Sequence, residues 1–234
     1  MRRQVQPELL DHLSAADPQA HGSRGDLRRL NFLMGHAGIL TRAFRRHHDS
    51  GAARSRPLRI VELGAGDGTL LLRLARRWSA VGVTAEATLL DRQNLVSAET
   101  RRAFAALNWS VESTEADVFF WLEQSPLPVD VMLANLFLHH FTDEQLGELL
   151  HLAAARTGLF IACEPRRSRL ALTASRLLGI MGCNRITRND AVVSVRAGFR
   201  GRELSALWPP DSKWHSSEYP AGWFSHSFVA KSHG

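Results

Sequence analysis

Two kinds of segment, with different patterns of apolar and polar positions, alternate through the middle of the chain. Short apolar runs are separated by segments in which leucines and alanines recur at helical spacing. These patterns predict strands at 58–63, 84–91, 109–114, 128–135 and 158–165, with helices at 68–78, 95–107, 119–123 and 142–157 between them. Strands that alternate with helices indicate βαβ units, and nearly continuous apolar strands indicate a parallel sheet covered on both faces.

The N-terminal side of this core follows a different pattern. It predicts a short helix at 7–13 and a polar loop at 14–25. Asp26 is typical of a helix N-cap, and the spacing of the leucines that follow predicts a helix from there to about His47. Residues 50–57, rich in small residues and arginine, are typical of a linker.

The alternation of strands and helices also stops after Pro165. The spacing predicts one helix at 167–182, one or two helices at 188–209, and two strands around a Pro-Ala-Gly turn that form an antiparallel hairpin at the sheet edge. We therefore expect a helical N-terminal cap and linker at 1–57 and a second domain at 58–234, in which 167–208 is an insertion that covers the substrate.

Composition limits the classes of protein to be considered. The chain has 234 residues, 44% of them hydrophobic, which suffices for one sizeable core. No stretch approaches the ~20 apolar residues of a membrane span, and the first residues lack the apolar segment of a signal peptide. We expect a cytoplasmic protein. Cys163 and Cys183 lack metal-binding spacing, so we expect reduced cysteines and no metal site.

The charge of the chain raises the question of a nucleic-acid partner. The net charge is +6, and eleven arginines fall within the first 59 residues. Such clustering is typical of surfaces that bind nucleic acids or other anions. Because no recognition motif or interleaved aromatic residue accompanies the arginines, we favour a solvated basic face and do not expect a nucleic-acid partner.

A glycine-rich turn follows the first predicted strand. Gly64, Gly66 and Gly68 are spaced G-x-G-x-G, whereas a dinucleotide fingerprint is spaced G-x-G-x-x-G. Such a turn lets a ligand approach the backbone at the N-terminus of the next helix. Glu62 precedes the first glycine by two positions and would repel a pyrophosphate. It suits a cationic ligand, and S-adenosylmethionine carries a sulfonium and an ammonium but no phosphate.

Acids also lie at or just after the ends of the next two predicted strands. Asp91 ends the second strand, where a carboxylate can accept hydrogen bonds from both ribose hydroxyls. Asp117 follows the third strand and can accept one from an adenine amino group, with an apolar side chain packed on the ring. A loop followed by acids at successive strand ends favours an adenosine-containing, phosphate-free ligand.

The segments VELGAGDG, LLD, AD and DVMLANLFLHHF, in this order, resemble the successive motifs of class I S-adenosylmethionine-dependent methyltransferases. The resemblance covers about 58–165 and implies a Rossmann-like, seven-stranded, mostly parallel α/β sheet with a final antiparallel strand. It also implies S-adenosylmethionine as the cofactor. The implied cofactor-binding residues are Glu62, Gly64, Ala65, Gly66 and Gly68 for the methionine part, Asp91 and Arg92 for the ribose, Asp117 and Val118 for the adenine, and Asn135 and Leu136 for the sulfonium side.

Two adjacent histidines follow the last of these motifs. His139 and His140 are expected near the cleft, where a histidine can act as the general base for a phenol or a carboxylic acid. Either histidine could instead cap the next helix or bond the backbone. His226 is a weaker candidate. Leu136 and Phe137 stand where base N-methyltransferases usually have prolines, which disfavours methylation of nucleic-acid bases.

The segments outside the core are expected to form the acceptor pocket. They are similar to those of small bacterial methyltransferases, some associated with type III polyketide synthases, which implies an aromatic or lipophilic acceptor. Arg28, Arg188, Arg196 and Asn189 could hold its anionic or phenolic head. We expect O-methylation of a small molecule of this kind. The alternatives are methylation of RNA or protein, and a module that binds S-adenosylmethionine without catalysis.

Overall fold

A seven-stranded sheet forms the centre of the computed structural model, which describes residues 1–14, 16–48, 56–124 and 128–233. Its strands are β1 (Leu58–Leu63), β2 (Ala85–Asp91), β3 (Ser110–Glu115), β4 (Val129–Asn135), β5 (Thr157–Pro165), β6 (Trp214–Ala221) and β7 (Ser225–Ser232). Their spatial order is β3-β2-β1-β4-β5-β7-β6. The first five strands pair in parallel, and β7 pairs antiparallel with both β5 and β6. This confirms the predicted Rossmann-like fold.

Nine helices lie around the sheet in the described part of the chain. They are α1 (Pro18–Leu33), α2 (His36–His47), α3 (Thr69–Ser79), α4 (Ala98–Ala105), α5 (Val118–Gln124), α6 (Asp143–Arg156), α7 (Arg169–Arg176), α8 (Arg185–Ala197) and α9 (Glu203–Leu207). Two single 3-10 turns, Leu10–His12 and Leu138–His140, complete the helical elements. The first of them replaces the longer helix predicted at 7–13.

The sheet is covered on both faces, as its apolar strands predict. In β1, Ile60 faces a core that contains α2, α3 and Phe104 of α4. Val61 and Leu63 of the same strand face a second core, which contains α5, α6 and α9. Because α2 shares a core with β1, this helix packs directly onto the sheet, whereas α1 packs on α2, α3 and α8. The division of the chain at residue 57 stays a prediction, and most of the predicted linker lies outside the described residues.

The N-terminal helices differ from the prediction. Helix α1 begins nine residues earlier than predicted, at Pro18, and Asp17 rather than Asp26 caps its first turn. Gly35, with a φ of +70°, separates α1 from α2, so there is no single helix from Asp26 to His47. Asp26 lies in mid-helix and is buried. The prediction treated the polar residues before Asp26 as loop, but proline after an N-capping aspartate is a strong helix start.

Asp26 has a long-range partner instead of a cap. Its Oδ2 accepts hydrogen bonds from the backbone N of Asn184, at 2.8 Å, and from Thr187 Oγ1, at 3.1 Å. The buried side of α1 also includes Ser23, which bonds Thr187 at 2.9 Å. Leu33, predicted on the apolar face, is exposed. Helix α1 is therefore held to α8 through polar contacts that hydrophobic periodicity cannot reveal.

The segment after Pro165 is more broken than predicted. Helix α7 ends at Arg176, and Gly182, with a φ of +76°, precedes α8. Asn184 caps α8 by accepting the backbone N–H of Thr187, so this helix begins three residues before the predicted start. The hairpin of β6 and β7 confirms the prediction for the last elements. Among the described residues, no helix combines the length and the apolar character that crossing a membrane requires.

Candidate functional site

The glycine-rich turn between β1 and α3 forms the floor of the site. Gly64, Gly66 and Gly68 have φ values of +66°, +55° and +73°. A Cβ on Gly64 would lie 2.3 Å from Cδ2 of Phe137, whereas a Cβ on Gly66 would meet no described atom within 4 Å. The turn is thus closed at its first glycine by an aromatic ring and open at its second, where a ligand can reach the backbone. Ala65 lies between them and is buried.

Glu62 lies under this turn and is almost completely buried. Burial raises the pKa of its carboxyl group well above the usual value, and the negative charges of Asp67 and Asp91 raise it further. The backbone N–H of Leu71 donates to the carboxyl group, yet Oε2 has no hydrogen-bond partner among the described residues. A buried polar atom without a partner is costly, so this oxygen suits a cationic or hydrogen-donating ligand group.

Asp91, at the end of β2, connects two parts of the site. Its Oδ2 accepts the backbone N–H of Gly66, at 2.8 Å, and its Oδ1 accepts that of Gln93, at 3.0 Å. Each carboxylate oxygen can accept a further hydrogen bond. Asp91 therefore fixes the glycine turn and still offers two acceptors to a diol, as the predicted ribose contact requires.

Asp117 follows β3 and begins α5. Its Oδ1 accepts the backbone N–H of Phe119, at 2.9 Å, and its Oδ2 pairs with Arg92 at 3.1 Å. Val118 is buried within the core that contains α5 and α6. Asp117 is therefore a helix cap with a partly exposed carboxylate beside Arg92, while Val118 offers little surface to a ligand.

The end of β4 makes a sharp turn at Leu136, which has a φ of +52°. This conformation costs of order 1–3 kcal/mol for a non-glycine residue, and strain of this kind often marks functional sites. The backbone N–H of Leu136 donates to the carbonyl of Cys163, at 3.0 Å. Before the turn, Asn135 is buried, and its Oδ1 is unpaired within the described ranges. The turn brings Phe137 against Gly64.

The two histidines lie in the 3-10 turn after β4, beside a buried acid. Glu164, near the end of β5, accepts the backbone N–H groups of Phe137 and Leu138 at 3.0 Å each. Its Oε2 accepts Nδ1 of His139 at 2.8 Å. Burial would raise the pKa of Glu164, but these hydrogen bonds and the charge of His139 lower it. Glu164 is therefore an ionised carboxylate that fixes both the turn and the ring of His139.

A second acid reaches His139 from the N-terminal segment. Oε1 of Glu8 lies 3.2 Å from Nε2 of His139, and Oε2 lies 3.5 Å from Nε2 of His140. Burial alone would lower the pKa of His139, but the hydrogen bonds with Glu164 and Glu8 raise it to about 9. Burial would raise the pKa of Glu8, and its bonds with both histidines lower it instead. With both carboxylates in place, His139 is an imidazolium near neutral pH.

The N-terminal segment is itself fixed over this turn. Arg3 donates to the carbonyls of Ala197 and Phe141, both at 2.8 Å. Oδ1 and Oδ2 of Asp190 accept the backbone N–H groups of Leu9 and Leu10, at 2.8 and 3.0 Å. Residues 1–14 therefore form a strap that holds Glu8 against the histidines.

Helix α1 covers the glycine turn from another side. Arg28 pairs with Asp67 at 2.8 Å, and Asp67 also accepts the hydroxyl of Thr69 at 2.7 Å. Arg24 donates to the side chain of Gln93 at 2.9 Å, next to Asp91. Arg28 is therefore committed to the cofactor turn rather than free for the head of an acceptor.

The remaining candidates lie elsewhere. Arg188 and Asn189 line a cleft of about 440 Å³ together with Arg176, Arg185 and Val192, and Arg196 is not among the residues that line it. The buried ring of His226 bonds Glu218 at 2.8 Å, which makes it structural. Sequence reasoning missed Glu8, Phe137 and Glu164. Glu164 is a strand-end acid like Asp91 and could have been found by the same rule, whereas nothing local distinguishes Glu8.

These residues fit the group that the sequence implied. Unpaired oxygens of Glu62 and Asn135 are buried beside an open glycine turn, and the carboxylate of Asp91 offers acceptors at the next strand end. Such a site matches a ligand with an ammonium group and a diol. His139 lies four residues beyond Asn135 and is bonded to Glu164, so the histidine pair and the glycine turn share one edge of the sheet.

Comparisons with known proteins agree with this geometry. Residues 60–157 match the family model described as a methyltransferase domain. No curated protein matches the chain. The plantazolicin methyltransferase BamL, solved with a triazolic desmethylPZN analog and S-adenosylhomocysteine, has a similar fold, with a TM-score of 0.64, 11% identity and 92% of each chain covered.

Two O-methyltransferases also share the fold. A putative O-methyltransferase from Nostoc punctiforme has a TM-score of 0.60 and 14% identity, over 98% of this chain and 64% of that protein. The mitomycin 7-O-methyltransferase MmcR has a TM-score of 0.58 and 20% identity, over 95% of this chain and 60% of that protein. The chain thus spans less than two thirds of these two proteins. The family model thus identifies residues 60–157 as similar to a methyltransferase domain, and the solved structures share the fold of the chain.

Proposed function

We propose that this chain, whose residues 60–157 match a methyltransferase domain, transfers the methyl group of S-adenosylmethionine to an oxygen atom of a small aromatic or lipophilic acceptor. The observation that carries the proposal is the buried His139–Glu164 pair, whose side chains meet at 2.8 Å at the strand edge that holds the glycine turn. O-methylation of a weakly acidic hydroxyl needs at least a binding site for the methyl donor and an oriented imidazole next to it.

The bound cofactor would supply an electrophilic methyl group on a sulfonium. Around it, Glu62 takes the ammonium group with its unpaired oxygen, Asp91 accepts the ribose hydroxyls, and Asp117 receives the adenine amino group. Asn135 and Leu136 line the sulfonium side. Because the donor is already reactive, these residues contribute mainly by positioning and by excluding water.

His139 takes the proton of the acceptor. In the resting structure Glu8 occupies its Nε2, at 3.2 Å. An acceptor hydroxyl that replaces Glu8 removes one of the two carboxylates that raise the pKa of His139, which favours the neutral ring. Nδ1 stays bonded to Glu164, which fixes the tautomer with its lone pair on Nε2 and stabilises the imidazolium formed as the methyl group is transferred.

His140 acts as a positioning residue in this scheme. Its Nδ1 donates to the carbonyl of Phe137 at 2.9 Å, and its Nε2 faces Glu8 and Asp11 at 3.5 and 3.7 Å. It can therefore receive the Glu8 carboxylate when the acceptor displaces it. The sequence did not separate the two histidines, and the different hydrogen bonds of their rings motivate the division of roles.

The acceptor class rests on helices α7 and α8 and the segment between them. The cleft lined by Arg176, Arg185 and Arg188 suits an anionic or phenolic head, and the exposed side chains of Ile180 and Met181 lie between α7 and α8, the helices that supply these arginines. By their names, BamL acts on plantazolicin and MmcR on mitomycin, both small molecules. A polyketide-type phenol remains the specific acceptor we propose.

The alternatives have less support. Methylation of RNA or protein rested on the arginines of the N-terminal third, several of which bind acids of this chain. Arg28 pairs with Asp67, Arg29 with Asp26, and Arg56 with Asp130. A module without catalysis would not need an oriented His139–Glu164 pair. Incubation with methyl-labelled S-adenosylmethionine and a fractionated lysate discriminates these cases, since label in RNA or protein rather than in the organic fraction would contradict our proposal.

The base assignment has its own test. In His139→Gln we expect kcat to fall by about 10²-fold or more, because the general base is lost, while calorimetric binding of S-adenosylhomocysteine is kept. His151→Gln, an exposed histidine of α6, is the matched control and should retain full activity. Normal turnover in a folded His139→Gln protein would contradict the base assignment.

A further inference from the structure

Four side chains converge at the contact between the N-terminal strap and the 3-10 turn after β4. Nε2 of His139 lies 3.2 Å from Oε1 of Glu8, and Nε2 of His140 lies 3.5 Å from Oε2 of the same carboxylate. One ligand atom from each of these three residues lies within 4.8 Å of the other two. Oδ2 of Asp11 lies 3.7 Å from Nε2 of His140. The cluster therefore combines two imidazoles and two carboxylates.

Both rings have the orientation of metal ligands. A histidine that binds a metal through one ring nitrogen nearly always donates its other N–H to a carboxylate or a carbonyl. His139 donates Nδ1 to Glu164 at 2.8 Å, and His140 donates Nδ1 to the carbonyl of Phe137 at 2.9 Å. The carboxylate ligand is supported as well, since the hydroxyl of Ser194 donates to Glu8. Both Nε2 atoms thus face the carboxylate of Glu8.

The two rings lie side by side, with centroids 4.2 Å apart and planes inclined by 32°. A divalent cation between the Nε2 atoms and the carboxylate would accept a lone pair from each of the three ligands and would displace the proton between His139 and Glu8.

The distances also suit a first-row metal. Bonds from zinc to histidine nitrogen and carboxylate oxygen are about 2.0–2.2 Å. Two ligands at about 2.1 Å that subtend roughly 100–110° are about 3.2–3.4 Å apart, close to the observed separations between Glu8 and the two histidines. Little movement is therefore needed. The side chains of His140 and Asp11 are 24% and 54% exposed, which gives an ion access from solvent.

We propose that Glu8, His139 and His140 bind one divalent first-row transition-metal ion, such as Zn²⁺, with Asp11 as a fourth ligand. Imidazole and carboxylate together favour Zn²⁺, Co²⁺ or Ni²⁺ over Mg²⁺ and Ca²⁺. Since Glu8 and Asp11 belong to the strap, the ion fastens the strap to the sheet. The ion also occupies Nε2 of His139, so it inhibits turnover; this consequence alone rests on the proposed function.

The test is Zn²⁺ titration of the full chain after chelator treatment, followed by calorimetry and metal analysis. We expect one Zn²⁺ per chain with micromolar or tighter affinity, and no binding of Mg²⁺ at millimolar concentration. Glu8→Gln and His140→Gln should each weaken Zn²⁺ binding at least tenfold. His12→Gln, an exposed histidine in the strap's own 3-10 turn, is the matched control and should bind as the unchanged protein does.

The outcomes separate the proposals. Undetectable Zn²⁺ binding, or equal affinity in Glu8→Gln and the unchanged protein, overturns the metal site. Binding of S-adenosylhomocysteine, measured on the same samples, shows that each variant is folded. Zn²⁺ that binds as expected without inhibiting turnover keeps the site and overturns its inhibitory role. Failure to bind S-adenosylhomocysteine at all contradicts the proposed function and leaves the Zn²⁺ result standing.

Discussion

Glu62 should release a proton when the cofactor binds. Without a ligand, burial and the charges of Asp67 and Asp91 raise the pKa of this carboxyl group well above its usual value. Its Oε2 has no partner within the described part of the chain. A ligand ammonium placed there favours the ionised form and lowers the pKa again. Binding of S-adenosylhomocysteine, which carries the same ammonium group, is therefore coupled to ionisation of Glu62.

The sign of the coupling follows from the two states. Between the usual pKa of 4.5 and its raised pKa, Glu62 is protonated without the ligand and ionised in the complex. Proton release should approach one per ligand in that window and vanish above the raised pKa. The charge-assisted hydrogen bond itself is worth about 1–3 kcal/mol. Glu62→Gln should therefore weaken binding by about 5- to 150-fold.

Calorimetry in two buffers with different ionisation enthalpies measures the number of protons released. The experiment is run from pH 5 to 8 on the unchanged protein, on Glu62→Gln, and on Glu112→Gln as a control at an exposed carboxylate of β3. We expect release from the unchanged protein and the control and none from Glu62→Gln. Equal release from all three proteins, or unchanged affinity in Glu62→Gln, would refute the assignment of Glu62 to the ammonium group.

Two further predictions concern the backbone and a buried histidine. Gly64→Ala should abolish S-adenosylhomocysteine binding and destabilise the fold, since the new Cβ would lie 2.3 Å from Phe137. Gly82→Ala is the control, because Gly82 also has a positive φ but has no described atom within 4 Å of the new Cβ. This variant should lose only about 1–3 kcal/mol of unfolding free energy. Equal losses in denaturant titrations would contradict this. Burial lowers the pKa of His36 from 6.5 to about 4, so its neutral ring supports folding fully above pH 6.5 and progressively less as the pH falls towards 4. The unfolding free energy should drop by ~3 kcal/mol more over that range in the unchanged protein than in His36→Gln, and parallel curves would contradict the prediction.

The sequence predicts those parts of the molecule whose causes are local. The apolar runs from β1 to β5 are each long enough to be read alone, and their order implies the parallel sheet. The contact between Asp91 and Gly66 follows because neighbouring parallel strands end at one edge. Asp26 was misread because its burial depends on Asn184, 158 positions further along the chain.

The acids around the histidines also depend on contacts between residues far apart in the sequence. Glu8 meets His139 across 131 positions, and no periodicity or motif connects a polar N-terminal segment with a turn after β4. Glu164 lies at a strand end, so the rule that found Asp91 applied to it, but its role became visible only through the 2.8 Å contact with His139. The residues that we propose for the cofactor site could therefore be named from the sequence, whereas the environment of the histidines required the structure.

The position of β7 has a consequence for how the protein is made. This strand, Ser225–Ser232, inserts between β5 and β6 and contributes Val229 to one core and Phe228 to the other. Until the ribosome has released this segment, the long apolar β5 is an unpaired edge, which is the kind of surface that aggregates or recruits chaperones. We therefore expect the nascent chain to stay incompletely folded until its last strand emerges, so that ribosome-stalled fragments ending before residue 225 remain protease-sensitive.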